Sequence, residues 1–280
     1  DYNATTPIYP EVSLAMLPYL GQCFGNPSSM HAVGRPCRVV VGAARKRVAA
    51  LLGCGVDEVL FVSCGTEADN HAIQGAVGVF RAGLGGHGGS PSSSTSGSGP
   101  SSGPSSGPDG APGSPRKAHI VSSVVEHPAV TRCLDSLASQ GLAEVTYVGV
   151  DSLGRVSVVD VEAAMRPDTA LVTIMHSNNE VGTLQPVREI ASLCRERGVL
   201  CHTDAAQSIG KVRVKVSELG VDMLTLVGHK FGAPKGVAAL FVRRGVEIMP
   251  FLWGGGQEAG RRGGTENVIL IAGLGKAAEV

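Results

Sequence analysis

Seven short apolar segments recur along the chain, separated by stretches with a different hydrophobic spacing. Several of the seven are apolar at nearly every position rather than at every second one. A strand with that pattern is covered on both faces, which is typical of parallel sheets with helices packed on each side. The predicted strands are residues 59–63, 119–124, 143–148, 170–176, 199–203, 223–227 and 237–242.

Helical spacing of apolar residues fills several of the intervals between these strands. The predicted helices are residues 36–52, 68–77, 129–140, 159–165 and 187–197. Pro186 is suited to start the last of them and Gly198 to end it, because proline is favoured in the first turn and glycine just past the last. The alternation of strands and helices predicts an α/β fold with a mostly parallel sheet sandwiched by helices.

One segment, residues 83–117, departs from both patterns because Gly, Ser and Pro dominate it and almost nothing apolar interrupts them. Such a composition buries too little apolar surface to offset the entropy lost on ordering the chain. We therefore predict a disordered surface insertion between two structured pieces, with no function of its own.

The charge balance of the chain bears on its partners. With 24 basic and 24 acidic residues, no net field draws the chain onto nucleic acid or an acidic membrane. No stretch reaches the roughly 18 uninterrupted apolar residues that a membrane-spanning helix needs. These features favour a small-molecule substrate, with neither nucleic acid nor a membrane as partner.

The seven cysteines are odd in number, widely spaced and without a Cys-x-x-Cys pair. This argues against a disulfide framework and against a zinc site, so no metal is expected. A reducing, cytoplasmic compartment fits best. Because the chain begins at Asp1 without Met, an organelle remains possible if a targeting peptide precedes residue 1.

Polar residues at strand ends are the first candidates for chemistry, since open α/β sheets bind ligands beyond the carboxyl ends of their strands. Lys230 follows the strand at 223–227, where partial desolvation would lower the pKa of its amine and suit it to form a Schiff base. Asp204 follows the strand at 199–203 and could pair with a protonated pyridine nitrogen. Ordinary alternatives remain: a solvated surface lysine, like Lys235, and a helix N-cap.

The turn at residues 63–67 lies between a predicted strand and a predicted helix. Gly65 and Thr66 would present backbone N–H groups and a hydroxyl to an anion at the positive end of the helix. An ordinary capped helix start explains the same spacing equally well. The turn is not a Walker loop, since no Gly-Lys-Ser/Thr follows.

Two further strand ends carry polar side chains. His127, just past the strand at 119–124, could stack on a planar ring or move a proton, although a lone His is more often an ordinary surface or core residue. Residues 176–180 could hydrogen-bond a ring hydroxyl through their amides or form an Asx turn.

Taken together, these residues resemble the cysteine desulfurase and selenocysteine lyase family of fold-type I pyridoxal-phosphate (PLP) enzymes, the class V aminotransferases. The resemblance covers nearly the whole chain outside residues 83–117. The matching motifs are D-x-N-A-T-T-P at 1–7, N-P-S-S-M-H at 26–31, Thr66-Glu67, Glu126-His127, N-N-E-V-G at 178–182, H-T-D-A-A-Q at 202–207, Gly228-His229-Lys230 and G-G-T-E-N at 263–267.

The resemblance implies a role for each matched position. Lys230 would carry PLP as a Schiff base, Asp204 would pair with the pyridine nitrogen, and His127 would stack on the ring. Lys230 and His127 are the implied catalytic residues, which transfer protons. The other implied contacts are Asn179 and Gln207 to the ring's phenolic oxygen, Gly65, Thr66 and His229 to the phosphate, and Thr265 reaching the phosphate from the second subunit of a homodimer.

The implied reaction removes sulfur or selenium from L-cysteine or L-selenocysteine and gives L-alanine, with a sulfur or selenium acceptor protein as a possible partner. The alternatives are another class V enzyme, such as an aminotransferase or a kynureninase-like hydrolase, and a non-catalytic PLP-binding scaffold. Val227 departs from many cysteine desulfurases, which have Ser there. Val-Gly-His-Lys, Phe231 and the motif at 254–258 look more like the selenocysteine lyase branch.

A second departure concerns the part of the family pattern after the Schiff-base lysine. The family carries a catalytic cysteine on a mobile loop and a substrate-carboxylate arginine in that region, and no cysteine follows Lys230. We therefore expect residues 1–280 to be the PLP-binding large domain of a longer enzyme, with the C-terminal small domain absent from this chain.

Overall fold

The computed structural model of the protein describes residues 1–84 and 116–280, and these residues build one seven-stranded sheet. The strand order is β3-β2-β4-β5-β6-β7-β1, and every neighbouring pair is parallel except the two that involve β7. The strands are β1 Val59–Val62, β2 Ala118–Ser123, β3 Ala143–Val148, β4 Thr169–Thr173, β5 Leu200–Asp204, β6 Met223–Val227 and β7 Ala238–Val242.

The seven predicted strands are confirmed, with shifted ends. The largest shift is at β4, which was expected to reach residue 176 and ends at Thr173. Beyond that point the chain still follows β5, since the Ile174 N–H donates to the His202 carbonyl at 3.2 Å and the His176 N–H to the Asp204 carbonyl at 2.8 Å. The apolar run therefore extends past the regular strand because its backbone remains paired.

Helices cover both faces of the sheet. The five predicted helices are confirmed, whereas three others had not been expected, namely α1, α7 and α8. The helices are α1 Pro10–Met16, α2 Arg35–Leu52, α3 Gly65–Arg81, α4 Pro128–Ser139, α5 Val158–Ala164, α6 Val187–Glu196, α7 Val216–Leu219 and α8 Val268–Ala277, and short 3₁₀ turns occur at Leu17–Leu20, Val56–Glu58, Gly228–Lys230 and Gln257–Gly260.

The sheet separates two apolar cores. Leu171 and Val172, adjacent in β4, belong to different cores because successive side chains of a strand point to opposite faces. One core lies under α3 and α4 and the other under α2, α6 and α8. Five of the seven strands are buried along their whole length, while the edge strand β3 is only partly buried. The predicted α/β sandwich is thereby confirmed.

The predicted insertion at residues 83–117 lies almost entirely outside the described residues. Its two described flanks are close in space, since the Arg81 guanidinium donates to the Arg116 carbonyl at 3.5 Å and to the Leu142 carbonyl at 3.3 Å. Within residues 1–84 and 116–280, no helix is both long and apolar enough to cross a membrane.

Candidate active site

The turns that carry the candidate residues meet at one edge of the sheet. Strands β2, β4, β5 and β6 are parallel, so their carboxyl ends share that edge. Strand β1 has the same direction, because β7 is antiparallel to both β1 and β6. Eight of the nine predicted site residues lie at the ends of these strands or in the segments that follow them, and the exception is Thr265. The eight are Gly65, Thr66, His127, Asn179, Asp204, Gln207, His229 and Lys230.

Lys230 ends the short turn Gly228–Lys230 that follows β6, and its amine is partly buried. Its Nζ donates to the backbone carbonyls of Asn3 at 2.7 Å and Ala4 at 3.0 Å. Burial lowers the pKa of Lys230, the nearby Lys211 lowers it further, and Asp204 opposes the shift. A lowered pKa increases the neutral fraction of the amine, which is its nucleophilic form.

Asp204 is the last residue of β5 and is buried. Its Oδ1 accepts a hydrogen bond from the Ala206 N–H at 2.9 Å. Turns rather than a helix follow it, so Asp204 closes a turn and does not cap a helix. Burial raises the pKa of Asp204, while the Ala206 N–H, His127 and Lys230 act against that rise. Those three neighbours favour the ionised carboxylate.

His127 is exposed and stands at the N-terminus of α4. Its Nδ1 accepts a hydrogen bond from the Ala129 N–H at 3.1 Å. In the neutral ring the proton therefore belongs on Nε2. His127 is near enough to Asp204 to lower the pKa of that carboxyl, so the two predicted residues lie close together.

Asn179 and Gln207 both contact the N-terminal segment of the chain. The Gln207 amide donates to the Asn3 carbonyl at 2.9 Å and accepts from Lys211 Nζ at 2.7 Å. The Asn179 side chain donates to Glu180 Oε1 at 2.8 Å, and its carbonyl accepts from the Asn3 side chain at 2.6 Å. Asn3 thus joins the Gln207 side chain to the Asn179 backbone.

The candidate phosphate turn begins α3, with Cys64 as the N-cap whose Sγ accepts from the Glu67 N–H at 3.4 Å. Gly65 is the first helical residue, and a Cβ there would lie 2.6 Å from Val227 Cγ2. Glycine at this position therefore lets the start of α3 pack closely against Val227. Thr66 is exposed next to it.

His229 lies beside Lys230 and is held by the N-terminal segment. Its Nδ1 and the Thr5 hydroxyl are 3.1 Å apart, and its carbonyl accepts from the Thr6 N–H at 2.9 Å and hydroxyl at 3.0 Å. Burial lowers the pKa of His229, and Lys230 and Lys235 lower it further. The ring is therefore neutral at neutral pH and can donate or accept a hydrogen bond.

An ion pair connects the candidate phosphate turn to the loop that carries Thr265. Arg262 Nε and Nη2 lie 2.7 and 3.2 Å from the two Glu67 carboxylate oxygens, and Glu67 also accepts from the Ser63 N–H at 2.8 Å. Burial acts to raise the pKa of Glu67, but hydrogen bonds from Arg262 and Ser63 outweigh it and lower the pKa. Within one chain, Thr265 lines a cavity of about 220 Å³ with Ser63, not with Gly65 or Thr66.

Two residues that had no assigned role belong to this edge of the sheet. Asn3 contacts Lys230, Gln207, Lys211 and Asn179, which follow it by 176 to 227 positions. The sequence motif at 1–7 marked Asn3 only as part of a pattern, and no local signal predicts contacts at such separations. The place of Asn3 in the candidate site is therefore visible only in the tertiary structure.

Glu126, the residue before His127, is the second. Its Oε1 accepts from the Ser123 hydroxyl at 2.5 Å and from the Met175 N–H at 3.0 Å. Burial raises the pKa of Glu126 to about 8, against the effect of these two hydrogen bonds. The neutral Glu126 side chain thus links the end of β2 to the segment just after β4, next to His127 in the chain.

Comparison with known proteins identifies the family of this fold. The sequence model of the family described as "Aminotransferase class-V" matches residues 1–84 and 110–280. The chain belongs to the class-V aminotransferase family. The predicted family and fold class are thereby confirmed, and the match omits residues 85–109, within the predicted insertion.

Individual relatives of this class-V aminotransferase carry two kinds of name. A cysteine desulfurase of Nostoc sp. is 45% identical over 280 residues, which cover 100% of this chain and 61% of the relative. A selenocysteine lyase of Bos taurus is 43% identical over 297 aligned positions, covering 100% and 63%. The chain spans about three fifths of the length of these curated relatives.

Solved structures show the same fold. The structure titled "SspA in complex with cysteine" is 36% identical, has a TM-score of 0.85, and is matched by 100% of this chain over 71% of its own length. Class-V aminotransferases and cysteine desulfurases are generally PLP-dependent. The residues at the carboxyl edge of the sheet are therefore compared with the groups that PLP would require.

Proposed function

We propose that this class-V aminotransferase uses PLP to remove sulfur or selenium from L-cysteine or L-selenocysteine, releasing L-alanine. The observation that carries the proposal is the partly buried Lys230 amine, with its lowered pKa, beside the buried Asp204 carboxylate at one sheet edge. Relatives named cysteine desulfurase and selenocysteine lyase support this reaction over other class V chemistries.

The residues of the site fit PLP. Lys230 would hold the aldehyde carbon through its amine, and Asp204 would face the pyridine nitrogen while His127 covers the ring. The backbone N–H groups at the N-terminus of α3 would receive the phosphate, because this end of a helix favours negative charge. The other holding groups would be Asn179 and Gln207 at the phenolic oxygen, Thr66 and His229 at the phosphate, and Thr265 from the partner subunit of a homodimer.

When bound, PLP supplies an electron sink for the substrate carbanion, provided that its ring nitrogen stays protonated. Asp204 serves that condition, since its ionised form is favoured by the Ala206 N–H, His127 and Lys230. Lys230 Nζ carries and returns a proton, and the Asn3 and Ala4 carbonyls orient it. His127 Nε2 is a second proton carrier, because Nδ1 is fixed by the Ala129 N–H.

The remaining expectations stand as parts of this proposal. A small amino-acid substrate, a homodimer and a protein that accepts sulfur or selenium would be its partners, and residues 1–280 would be the PLP-binding large domain. All seven cysteines are free thiols, which supports a reducing compartment such as the cytoplasm.

The experiment that tests the cofactor assignment is borohydride reduction of the PLP-loaded protein followed by peptide mapping. We expect the label on Lys230, and we expect Lys230→Ala to lack the visible absorbance of the bound cofactor. Lys235→Ala, a nearby lysine outside the site, is the matched control and should keep that absorbance. A label on Lys235 or on another lysine would contradict the assignment.

The reaction itself is tested by its product. Alanine released from cysteine and from selenocysteine supports the proposal, and the ratio of the two rates gives the chalcogen preference. A keto-acid product or a kynureninase-like cleavage would instead identify another class V activity. Bound cofactor with no turnover of either substrate by the complete enzyme, of which residues 1–280 are expected to be the large domain, would identify a PLP-binding scaffold.

A further inference from the structure

A layer of buried polar side chains lies behind Asp204, between the sheet and α3. It consists of Asp69 on α3, Thr173 on β4, His202 on β5 and Thr225 on β6, and Asp69 is 1% exposed. None of the four belongs to the residues proposed to hold PLP. Three of the strands that carry the site thus share a polar layer with the helix that starts at the phosphate turn.

The members of this layer are in contact with one another. His202 Nδ1 and the Thr173 hydroxyl are 2.8 Å apart, and His202 Nε2 and the Thr225 hydroxyl are 3.1 Å apart. Asp69 Oδ1 lies 3.8 Å from His202 Nε2 and has no hydrogen-bond partner among the described residues. A buried carboxylate oxygen without a partner is unfavourable if it carries charge.

Asp69 and Asp204 share their neighbours. His202 and Asp204 are two positions apart on β5, so their side chains point to the same face of the sheet. Thr225 is the register partner of Asp204 on β6, and it hydrogen-bonds His202. Asp69 therefore packs against the two residues that flank the Asp204 carboxyl on that face.

Among the described residues, the largest electrostatic influences on Asp69 include no cation. The ionisable groups that face it are Asp204 and His202 on β5, Glu126 after β2, Cys64 at the start of α3 and Cys133 on α4. Burial raises the pKa of Asp69 well above its usual range, Asp204 raises it further, and a hydrogen bond from Thr225 opposes them. His202 stays neutral because burial lowers its pKa to about 3.

Asp204 has more neighbours that favour its charge than Asp69 has. The Ala206 N–H, His127 and Lys230 are among the largest influences on Asp204, whereas none of the three is among the largest on Asp69. Two charged carboxylates with no cation between them are strongly disfavoured in a buried layer, so one proton is retained by the pair. The surroundings direct that proton to Asp69.

We propose that Asp69 and Asp204 form a carboxyl pair that holds one negative charge through neutral pH, with the charge on Asp204 and the proton on Asp69. Asp69 is a positioning residue, because its neutral form leaves Asp204 as the one charged carboxyl of the two. The consequence for the pyridine nitrogen rests on the proposed PLP function. The pair itself is a property of the protein without cofactor.

The first experiment measures the free energy of unfolding against pH for the complete protein without cofactor. Unfolded Asp loses its proton near pH 4, whereas folded Asp69 keeps it, so the folded state binds more protons and stability falls as pH rises through the folded pKa. In that window one such proton raises the unfolding constant about tenfold per pH unit. Asp69→Asn removes this contribution, so we expect a shallower fall with pH and undiminished stability at neutral pH.

Two variants accompany Asp69→Asn. Asp160→Asn changes an exposed acid in the first turn of α5 and should keep the wild-type slope. Thr225→Val removes the hydroxyl that lowers the pKa of Asp69 and should extend the fall in stability to higher pH. Thr225→Val also decides the question if Asp69→Asn does not fold.

A second measurement follows the visible absorbance of the PLP-loaded protein as a function of pH. Asp69→Asn should retain the wild-type spectrum and its titration, whereas Asp204→Asn should shift both. If Asp69→Asn lowers the free energy of unfolding at every pH and leaves its slope with pH unchanged, Asp69 is ionised in the wild type. If the absorbance spectrum of Asp69→Asn shifts as that of Asp204→Asn does, the charge lies on Asp69. Either result would overturn the proposed charge distribution in the Asp69–Asp204 pair. Failure of the protein to bind PLP would overturn the proposed function instead, and the unfolding experiment would still test the pair.

Discussion

Burial shifts the two central ionisable groups of the site toward their neutral forms. It lowers the pKa of Lys230 and raises that of Asp204, and each group opposes the shift of the other because their charges are opposite. Burial thus favours the neutral, nucleophilic amine of Lys230, whereas Lys230 favours the ionised form of Asp204. Substitution of either residue is expected to change chemistry more than stability.

Asp204→Asn tests this at the carboxylate. The amide is nearly isosteric and can still accept from the Ala206 N–H, so the fold and bound PLP should be retained. Loss of the charge should lower alanine formation about 10²-fold or more, the scale of removing one preorganised electrostatic contact. Alanine release from cysteine and selenocysteine is the measurement, and turnover close to wild type would remove Asp204 from its proposed role.

Asn3→Ala tests the N-terminal segment as a positioning element. It removes the side-chain bonds to Lys211 and to the Asn179 carbonyl, and so loosens the carbonyl that holds the Lys230 amine. We expect about 1–2 kcal/mol of stability to be lost with the two bonds, and the pH titration of the visible absorbance to shift. Tyr2→Ala, at an exposed neighbour, is the control, and equal spectra for both variants would argue against positioning by Asn3.

Glu126 is a single residue that should make the stability of the fold depend on pH. Its pKa is raised to about 8 when folded, so the folded state holds a proton that the unfolded state has lost above about pH 4.3. Stability should therefore fall as pH rises from there through about 8, and Glu126→Gln should reduce that fall. Chemical unfolding at pH 6 and pH 9 would measure it, and a variant less stable than wild type at pH 9 would contradict the assigned protonation.

At the scale of elements, the start of α3 is held by contacts from three directions. Cys64 caps the helix, Val227 packs against Gly65, and the ion pair from Arg262 fixes Glu67. The N–H groups at this end are therefore preorganised for an anion before one binds. The 261–265 loop is joined to the same turn through Arg262.

Glu67→Gln tests the ion pair between Glu67 and Arg262. It leaves the Arg262 guanidinium without its partner, and we expect a stability loss of about 2 kcal/mol, less than for a fully buried pair because Arg262 is partly exposed. The affinity for PLP should fall about tenfold or more as the turn loosens. Titration with PLP measures the affinity. The control is Glu218→Gln, which removes an exposed ion pair with Arg213. Equal affinities of the two variants for PLP would contradict a role of the Glu67–Arg262 pair in holding the turn.

At the scale of the whole molecule, the described residues form a single sheet with an apolar core on each face. The site lies at the carboxyl edge of that sheet, and the flanks of the predicted insertion meet near Arg81 and Arg116. The family match also omits residues 85–109. The composition of the segment predicts that neither the core nor the site depends on it.

Excision of residues 85–115 tests that prediction. With a short Gly/Ser linker joining the ends, PLP binding and the midpoint of thermal unfolding should be nearly unchanged, because loop-closure entropy varies slowly with length. The midpoint and a PLP titration are compared with the intact chain. A large loss of either would mean that the segment packs against the rest of the protein.

The sequence alone determined the elements whose pattern is local. Most of the strands were predictable because each is a short apolar run covered on both faces, and Lys230 and Asp204 could be proposed because they lie at the ends of such runs. Helix α8 was missed since it is apolar on nearly every side and has no helical spacing. It packs so closely that a Cβ at Gly275 would lie 2.5 Å from Ala44.

Only the tertiary structure decided which side chains meet across the sheet edge. The contacts of Asn3 with Lys230, the ion pair of Arg262 with Glu67, and the packing of Asp69 behind Asp204 join positions 135 to 227 residues apart. Strand order and direction create these neighbours, and no local pattern records them. The charge state of the buried carboxyls follows in turn from those neighbours, because in a buried layer the nearest charges and hydrogen bonds determine which acid keeps its proton.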